Sequence, residues 1–371
     1  MNNIINIVRK FLLSIGFVVL IGQVAYSQNP FRTIKSGNWN EPTIWEEDTG
    51  GGFNATLNTP TSSSGTITIR TDHTVTISAN ITIDEVNVEN GGIVIVNPTV
   101  AVILNNGSGN DLIIDGEFTL QDDGIFDGSV LTVNSGAVVY IADNGTLTNN
   151  NPGISQINFS AGSTYQHDRS AGAIPISNWA PTSTCLITGF IETNLSGGLL
   201  QSFGNFTWNC VGQTANALLG FTSSTSFAGN FSILNSTNGF TARTVTLASG
   251  TATIQVAGNV FISGVSRLIL AGSPLSNVTF RVLGDFNFSV TNGTPSSVLG
   301  GNNVTSELDV RGNFNYTSGE IRKAGPGGSS TITFGGSTAQ MYTGGGTAIT
   351  TPVNFQVNNG SILDLGIYSL T

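Results

Sequence analysis

Gly204-Asn205-Phe206, Gly229-Asn230-Phe231, Gly258-Asn259-Val260, Gly284-Asp285-Phe286 and Gly312-Asn313-Phe314 repeat one unit five times, at a nearly constant spacing. A period in the mid-twenties points to a stack of like units, each burying its apolar side only against its neighbours. Elsewhere the text alternates in twos, as in Thr66-Ile67-Thr68-Ile69 and Thr74-Val75-Thr76-Ile77, with runs closing on Gly, Asn or Asp. Period two with β-branched residues means strands. A looser form of the unit runs from Val86 to Gly91, Leu112 to Gly116, Leu131 to Gly136 and Ile157 to Gly162. Three short strands and their turns fill such a period. The expected fold is therefore all-β: a single-stranded, right-handed parallel β-helix (β-solenoid) of roughly 25–29 residues per coil over 66–371, behind a small N-terminal cap over 28–65. That length makes roughly 12 coils and, at the strand spacing of about 4.8 Å, a rod of about 55 Å. Gly and Asn suit its corners, because both tolerate positive φ. No apolar stripe at helical spacing follows Ser27, so crossover helices and α/β folds are excluded. A nine-stranded sandwich pair is the competing all-β arrangement, and the fixed period argues against it.

Composition agrees with stacking. Of 371 residues only 9% are charged, against about 25% in ordinary soluble proteins, while Gly reaches 47. A charge on an outward position of a parallel stack sits about 5 Å from its copy on the next coil, whereas Thr, Ser and Asn can hydrogen-bond along the stack. With 12 Lys and Arg against 22 Asp and Glu, the chain has no basic patch for nucleic acid, and its low charge argues against disorder.

Residues 1–27 read as a signal peptide: Arg9 and Lys10, an apolar run over 11–22, and small residues around Ala25-Tyr26-Ser27, with cleavage expected before Gln28. That run falls short of the roughly 20 residues that span a bilayer as a helix, and no second run follows. The expected location is secreted, extracellular or on the outer cell surface. Processing leaves 10 positive and 22 negative groups, a net charge of −12.

Few residues suggest chemistry. Cys185 and Cys210 lie one repeat apart, which places them on adjacent coils at disulfide distance; an exported protein favours the bridge. Asp111, Asp115, Glu117, Asp122, Asp123 and Asp127 gather in one short stretch and offer hard oxygen ligands for calcium or, more remotely, an acid/base pair for glycoside hydrolysis. A solvated turn accounts for the same cluster. His73 and His167 are the only histidines, too few for a transition-metal site. His167-Asp168-Arg169 sets a base beside a carboxylate and a cation, a candidate glycan contact, and a structural or surface role accounts for the same residues. Trp39 and Trp45 stand where the first coil needs a lid, Trp208 alternates with Phe206 as interior, and Trp179 could stack on a sugar ring.

Ser36-Gly37-Asn38-Trp39-Asn40-Glu41-Pro42-Thr43-Ile44-Trp45, the segment Ser163 to Cys210 with Trp179, Cys185 and Trp208, and Thr331-Ile332-Thr333-Phe334 with Asn354-Phe355-Gln356-Val357-Asn358-Asn359 resemble the exported β-helical surface proteins of the Bacteroidota. The resemblance covers most of the chain after Ser27. It implies a surface β-solenoid carried by the type IX route and ending in a sorting domain. The chain departs from that pattern at Tyr368-Ser369-Leu370-Thr371, which continues strand-like text. The function expected from these readings is a non-enzymatic secreted or cell-surface structural and adhesion module contacting polysaccharide or other surface components. The alternatives are a polysaccharide lyase or glycoside hydrolase on the same scaffold, and a carbohydrate-binding module of a larger assembly.

Overall fold

A computed structural model describes residues 28–370 apart from 106–109, 122–124, 128–129, 149–155, 240, 292–296, 346–347 and 351–352. The expected signal peptide lies outside the described residues. The chain forms a parallel β-solenoid whose three faces are stacked sheets. Face two is one continuous sheet of 14 strands from Gly37–Asn38 to Leu363–Asp364. Face one is a nine-stranded sheet followed by a seven-stranded one, and face three has four strands and then six. Among the described residues, ten turns carry a strand on every face. The only helix described is a single 3-10 turn at Pro42–Ile44, and no helix there is long and apolar enough to cross a membrane.

The cap starts the stack as well as covering it. Phe31–Thr33 pairs in parallel with Ile67–Ile69, while the antiparallel strands Trp45–Asp48 and Phe53–Ala55 close the sheet edge behind it. Trp39 and Trp45, each 1% exposed, meet edge to face at 5.1 Å. Their indole N–H groups donate to the carbonyls of Pro60 and Trp39. These tryptophans are the lid the sequence suggests, and both polar handles are satisfied.

The Gly-Asn-Phe unit is the fold's joint, and each of its residues does a different job. Phe206, Phe231, Val260, Phe286, Phe314 and Tyr342 form one inward column in register. Phe206 stacks on Phe231 with centroids 5.7 Å apart and planes 6° from parallel, and Phe286 stacks on Phe314 at 5.2 Å. The Asn is a ladder rung. Asn205 Oδ1 accepts from the N–H of Asn230, Asn230 from Asn259 and Asn259 from Asp285, each at 2.8 Å; Asp285 accepts from Asn313 at 2.7 Å and Asn313 from Met341 at 2.9 Å. Each turn's side chain thus satisfies a corner N–H that the sheets do not reach.

The glycines correct one expectation. Those of the repeat do not adopt positive φ; they are required because successive corners touch. A Cβ on Gly284 would lie 2.4 Å from Asn259 Oδ1 and 2.6 Å from the Gly258 carbonyl oxygen. Positive φ belongs to three glycines of the looser unit, Gly91, Gly136 and Gly162, whereas Gly116 is another close approach, a Cβ there falling 2.1 Å from the Gly92 carbonyl oxygen.

Charge on the outward columns follows the stacking argument. Where ionised groups do fall in register, as with Arg281 and Asp309 on adjacent turns, they are of opposite sign, and Asp309 Oδ2 lies 2.8 Å from both Arg281 Nε and Arg311 Nη2.

Turn length varies along the rod, and short turns such as Thr74 to Ile93 and Glu117 to Val138 keep a strand on face three; mid-rod, two short turns follow one another without one. On face two Val138 is in register with Thr164, a full period on, but Thr164 then pairs with Thr184 and Thr184 with Asn205, both well short of one. These short turns carry no named strand on face three, between Thr146–Thr148 and Ala217–Leu218. The shortening also removes the expected disulfide. Cys185 is in register with Phe206, and Cys210 lies four residues further along its strand, with its sulfur 3.5 Å from the Ile187 carbonyl oxygen. Four residues of strand are about 13 Å, beyond the span of a disulfide. Both cysteines are free and fully buried. Burial pushes the Cys185 thiol up strongly and the Cys210 thiol up to about 12, so neither is a ready nucleophile. Alkylation of the native protein is expected to label neither cysteine and denaturation without reductant to expose both; a chain that remains unlabelled when denatured would contradict this.

Candidate functional site

The short turns leave a cleft of about 380 Å³ in the wall between faces two and three. Its lining comes from the turns that follow face-two strands on four successive coils: Asp143 and Asn144, Asp168 to Ser170, Thr188 to Ile191, and Gly212. The outward charge cluster of the sequence therefore does reach a concavity, but only in part.

His167 is a correction. It is fully buried on the inner side of the wall, where Tyr165 Oη lies 2.9 Å from Nδ1 and the Ala171 carbonyl oxygen 2.9 Å from Nε2. The carbonyl can only accept, so the proton sits on Nε2 and the tyrosine hydroxyl donates to Nδ1. Burial lowers its pKa to about 4, and the ring is a neutral brace that a ligand in the cleft cannot touch. The depressed value gives a signed prediction. The unfolded chain takes up a proton near pH 6.5 that the folded chain refuses until about 4, so acidification across that window costs stability. Comparison with His167→Gln by urea denaturation is expected to show the native protein losing roughly 2–3 kcal/mol more between pH 7 and pH 4. Parallel losses in the two proteins would contradict it.

Asp168 and Arg169 line the cleft, and the wall holds both. Asp168 accepts from Tyr140 Oη at Oδ2 and from Thr188 Oγ1, 3.0 Å away, at Oδ1. Burial, then the hydrogen bond and charge of Asp168, push the Tyr140 hydroxyl up to about 12. Arg169 Nη1 donates to the Gly145 carbonyl oxygen and stands 3.4 Å from Thr146 Oγ1. Ser170 Oγ accepts from the N–H groups of Ile191, Glu192 and Thr193. What the cleft presents is polar and shaped, with Ile191 as its exposed apolar side; these interactions tie the Asp168 carboxylate, the guanidinium and the serine hydroxyl into the scaffold, while Asp143 stands exposed at its edge.

The acid cluster disperses along the corners. Asp111, 1% exposed, accepts from the Val130 N–H at 2.9 Å, Asp115 from Asn134 Nδ2 at 2.9 Å, and Glu117 from Thr119 Oγ1 at 2.8 Å. Asp122 and Asp123 lie outside the described residues, as does the side chain of Asp127. Among the described residues no group of three His, Cys, Asp or Glu could hold a metal ion. His73 bonds Thr33 Oγ1 at 2.7 Å, across the junction of cap and first coil. Trp208 is interior, and Trp179 stacks on Phe159 at 4.3 Å rather than standing free for a sugar.

Sequence reading missed Tyr140, Asp143, Thr188, Ile191 and Gly212. The signal that could have found them is two short spacings in succession, Thr164 to Thr184 and Thr184 to Asn205, with no third strand in either turn.

The fold and this cleft define a class, a three-faced parallel β-solenoid with one interrupted stretch. No family model, curated protein or solved structure matches the chain.

Proposed function

We propose that the protein is an exported, non-enzymatic β-solenoid of the extracellular surface that contacts glycans through its mid-rod cleft. The observation that carries this reading is the state of the cleft's charged groups. Asp168 and Arg169 are both held by hydrogen bonds to the wall, His167 is sealed behind it, and exposed Asp143 stands without the second free carboxylate that glycoside hydrolysis uses. General acid/base work needs a proton-transfer group aimed at the ligand, whereas recognition needs only a preformed polar surface with an apolar patch. The leader-like residues 1–27 support export, and the resemblance to Bacteroidota surface proteins supports a structural and adhesive role.

The test uses the processed protein and a panel of neutral and acidic polysaccharides. Binding without release of reducing or unsaturated ends is expected. Gly212→Trp is expected to abolish it, because a Cβ at Gly212 meets nothing within 4 Å and the indole can fill the cleft without disturbing the fold. Release of sugar ends would replace this reading with the lyase or hydrolase alternative. Binding indifferent to Gly212→Trp would place the contact elsewhere.

A further inference from the structure

Six of the ten Lys and Arg that follow Ser27 fall between 243 and 323. Arg281 and Arg311 are neutralised by Asp309 on face one. Arg243, Arg267 and Arg322 are not. Among the described residues none of their guanidinium groups has a carboxylate at ion-pair distance, and the Nε of each is buried without a hydrogen-bond partner.

The fold brings Arg267 and Arg322 near each other on face three and sets Arg243 at the start of that face on the preceding turn. Ser236, fully buried, donates its hydroxyl to the Arg243 carbonyl oxygen at 2.6 Å and accepts from the Arg267 N–H at 3.2 Å, so both backbones converge on one side chain. Thr244, next to Arg243, is in register with Arg267 on the following turn. Arg322 lies two turns further on, in register through Val298 with Ile269, the next residue of that face to point the same way as Arg267. Burial and then the charge of Arg322 lower the Arg267 pKa, which is the sign of like charges crowded without a counter-charge. Glu320, the acid two residues before Arg322, already has a partner of its own. In a chain with a net charge of −10 such a concentration of unpaired guanidinium is out of character.

We infer that Arg243, Arg267 and Arg322 form a binding site for a tetrahedral oxyanion, either a free sulfate or phosphate ion or the same group borne as an ester on a polysaccharide. Planar guanidinium forks match the oxygens of such a group two at a time, so Arg267 and Arg322 can grip it from two sides with Arg243 at its flank. The site is distinct from the mid-rod cleft and stands whether or not that cleft binds sugar.

Thermal melting and titration calorimetry with sodium sulfate, sodium phosphate and, at matched ionic strength, sodium chloride test it. Sulfate or phosphate is expected to raise the melting temperature where chloride does not. Arg267→Gln is expected to weaken that binding about tenfold or more while itself folding normally, because it relieves like-charge repulsion. Arg70→Gln, far along the rod, and Gly212→Trp are expected to bind as the native protein does. Dextran sulfate against plain dextran separates the sources: tighter binding of the sulfated polymer than of free sulfate assigns the site to an ester, and equal binding assigns it to the free ion. Equal responses to sulfate, phosphate and chloride, or unchanged binding in Arg267→Gln, would overturn the inference.

Discussion

Phe231→Ala is expected to destabilise the protein by about 3–5 kcal/mol. Phe231 is fully buried in the inward column and packs against Phe206 at 5.7 Å, Phe227 at 5.1 Å, Phe221 at 6.4 Å and Phe280 at 5.6 Å. Those rings come from the same turn and from both neighbouring directions along the rod. Removal leaves a cavity lined by aromatic faces that the stacked corners cannot collapse, since the Asn ladder fixes the rise on each side. Urea denaturation followed by circular dichroism measures it. A loss below about 1 kcal/mol would mean that the column can repack and that the stack is less rigid than described.

Gly284→Val is expected to cost as much, about 3–5 kcal/mol, for the opposite reason. No space exists there even for a methyl group, because the neighbouring atoms at 2.4 Å and 2.6 Å belong to the ladder amide of Asn259 and to the backbone of Gly258. Relief requires opening the corner and breaking the hydrogen bonds from Asp285 N–H to Asn259 and from Gly284 N–H to Gly258. Gly212→Ala, where nothing approaches within 4 Å, is the matched control and is expected to change stability by less than about 0.5 kcal/mol. Equal effects at the two glycines would remove close approach as the reason for the repeat.

The repeat was legible because stacking imposes the same demands on every copy. A glycine where corners touch, an amide where an N–H needs a partner and an aromatic where a column is filled must recur at the coil period, and they do at 204–206, 229–231 and 312–314. Which demand each residue met was less legible. Close approach and positive φ both select Gly, and only the neighbouring turn shows which applies. The cleft was hidden for a related reason. Reading from the period assumes that it holds, and the short turns from Thr164 to Thr184 and from Thr184 to Asn205 violate it where the cleft forms. The same assumption paired Cys185 with Cys210, although the register sets Cys185 beside Phe206. His167 looked available because its neighbours Asp168 and Arg169 are polar, but two-residue alternation turns it inward while they line the cleft.

Register between successive turns is the claim on which the rest depends, and a paired cysteine substitution tests it most directly. Ser202 and Ser226 are in register on adjacent turns of face one, with hydroxyl oxygens 2.9 Å apart at the surface. Ser202→Cys combined with Ser226→Cys is expected to form an intramolecular disulfide under mild oxidation, identified as one cross-linked peptide by mass spectrometry, while Cys185 and Cys210 remain free thiols. Failure of the engineered pair to cross-link in the folded protein, or a bridge between Cys185 and Cys210, would contradict the stacking described here.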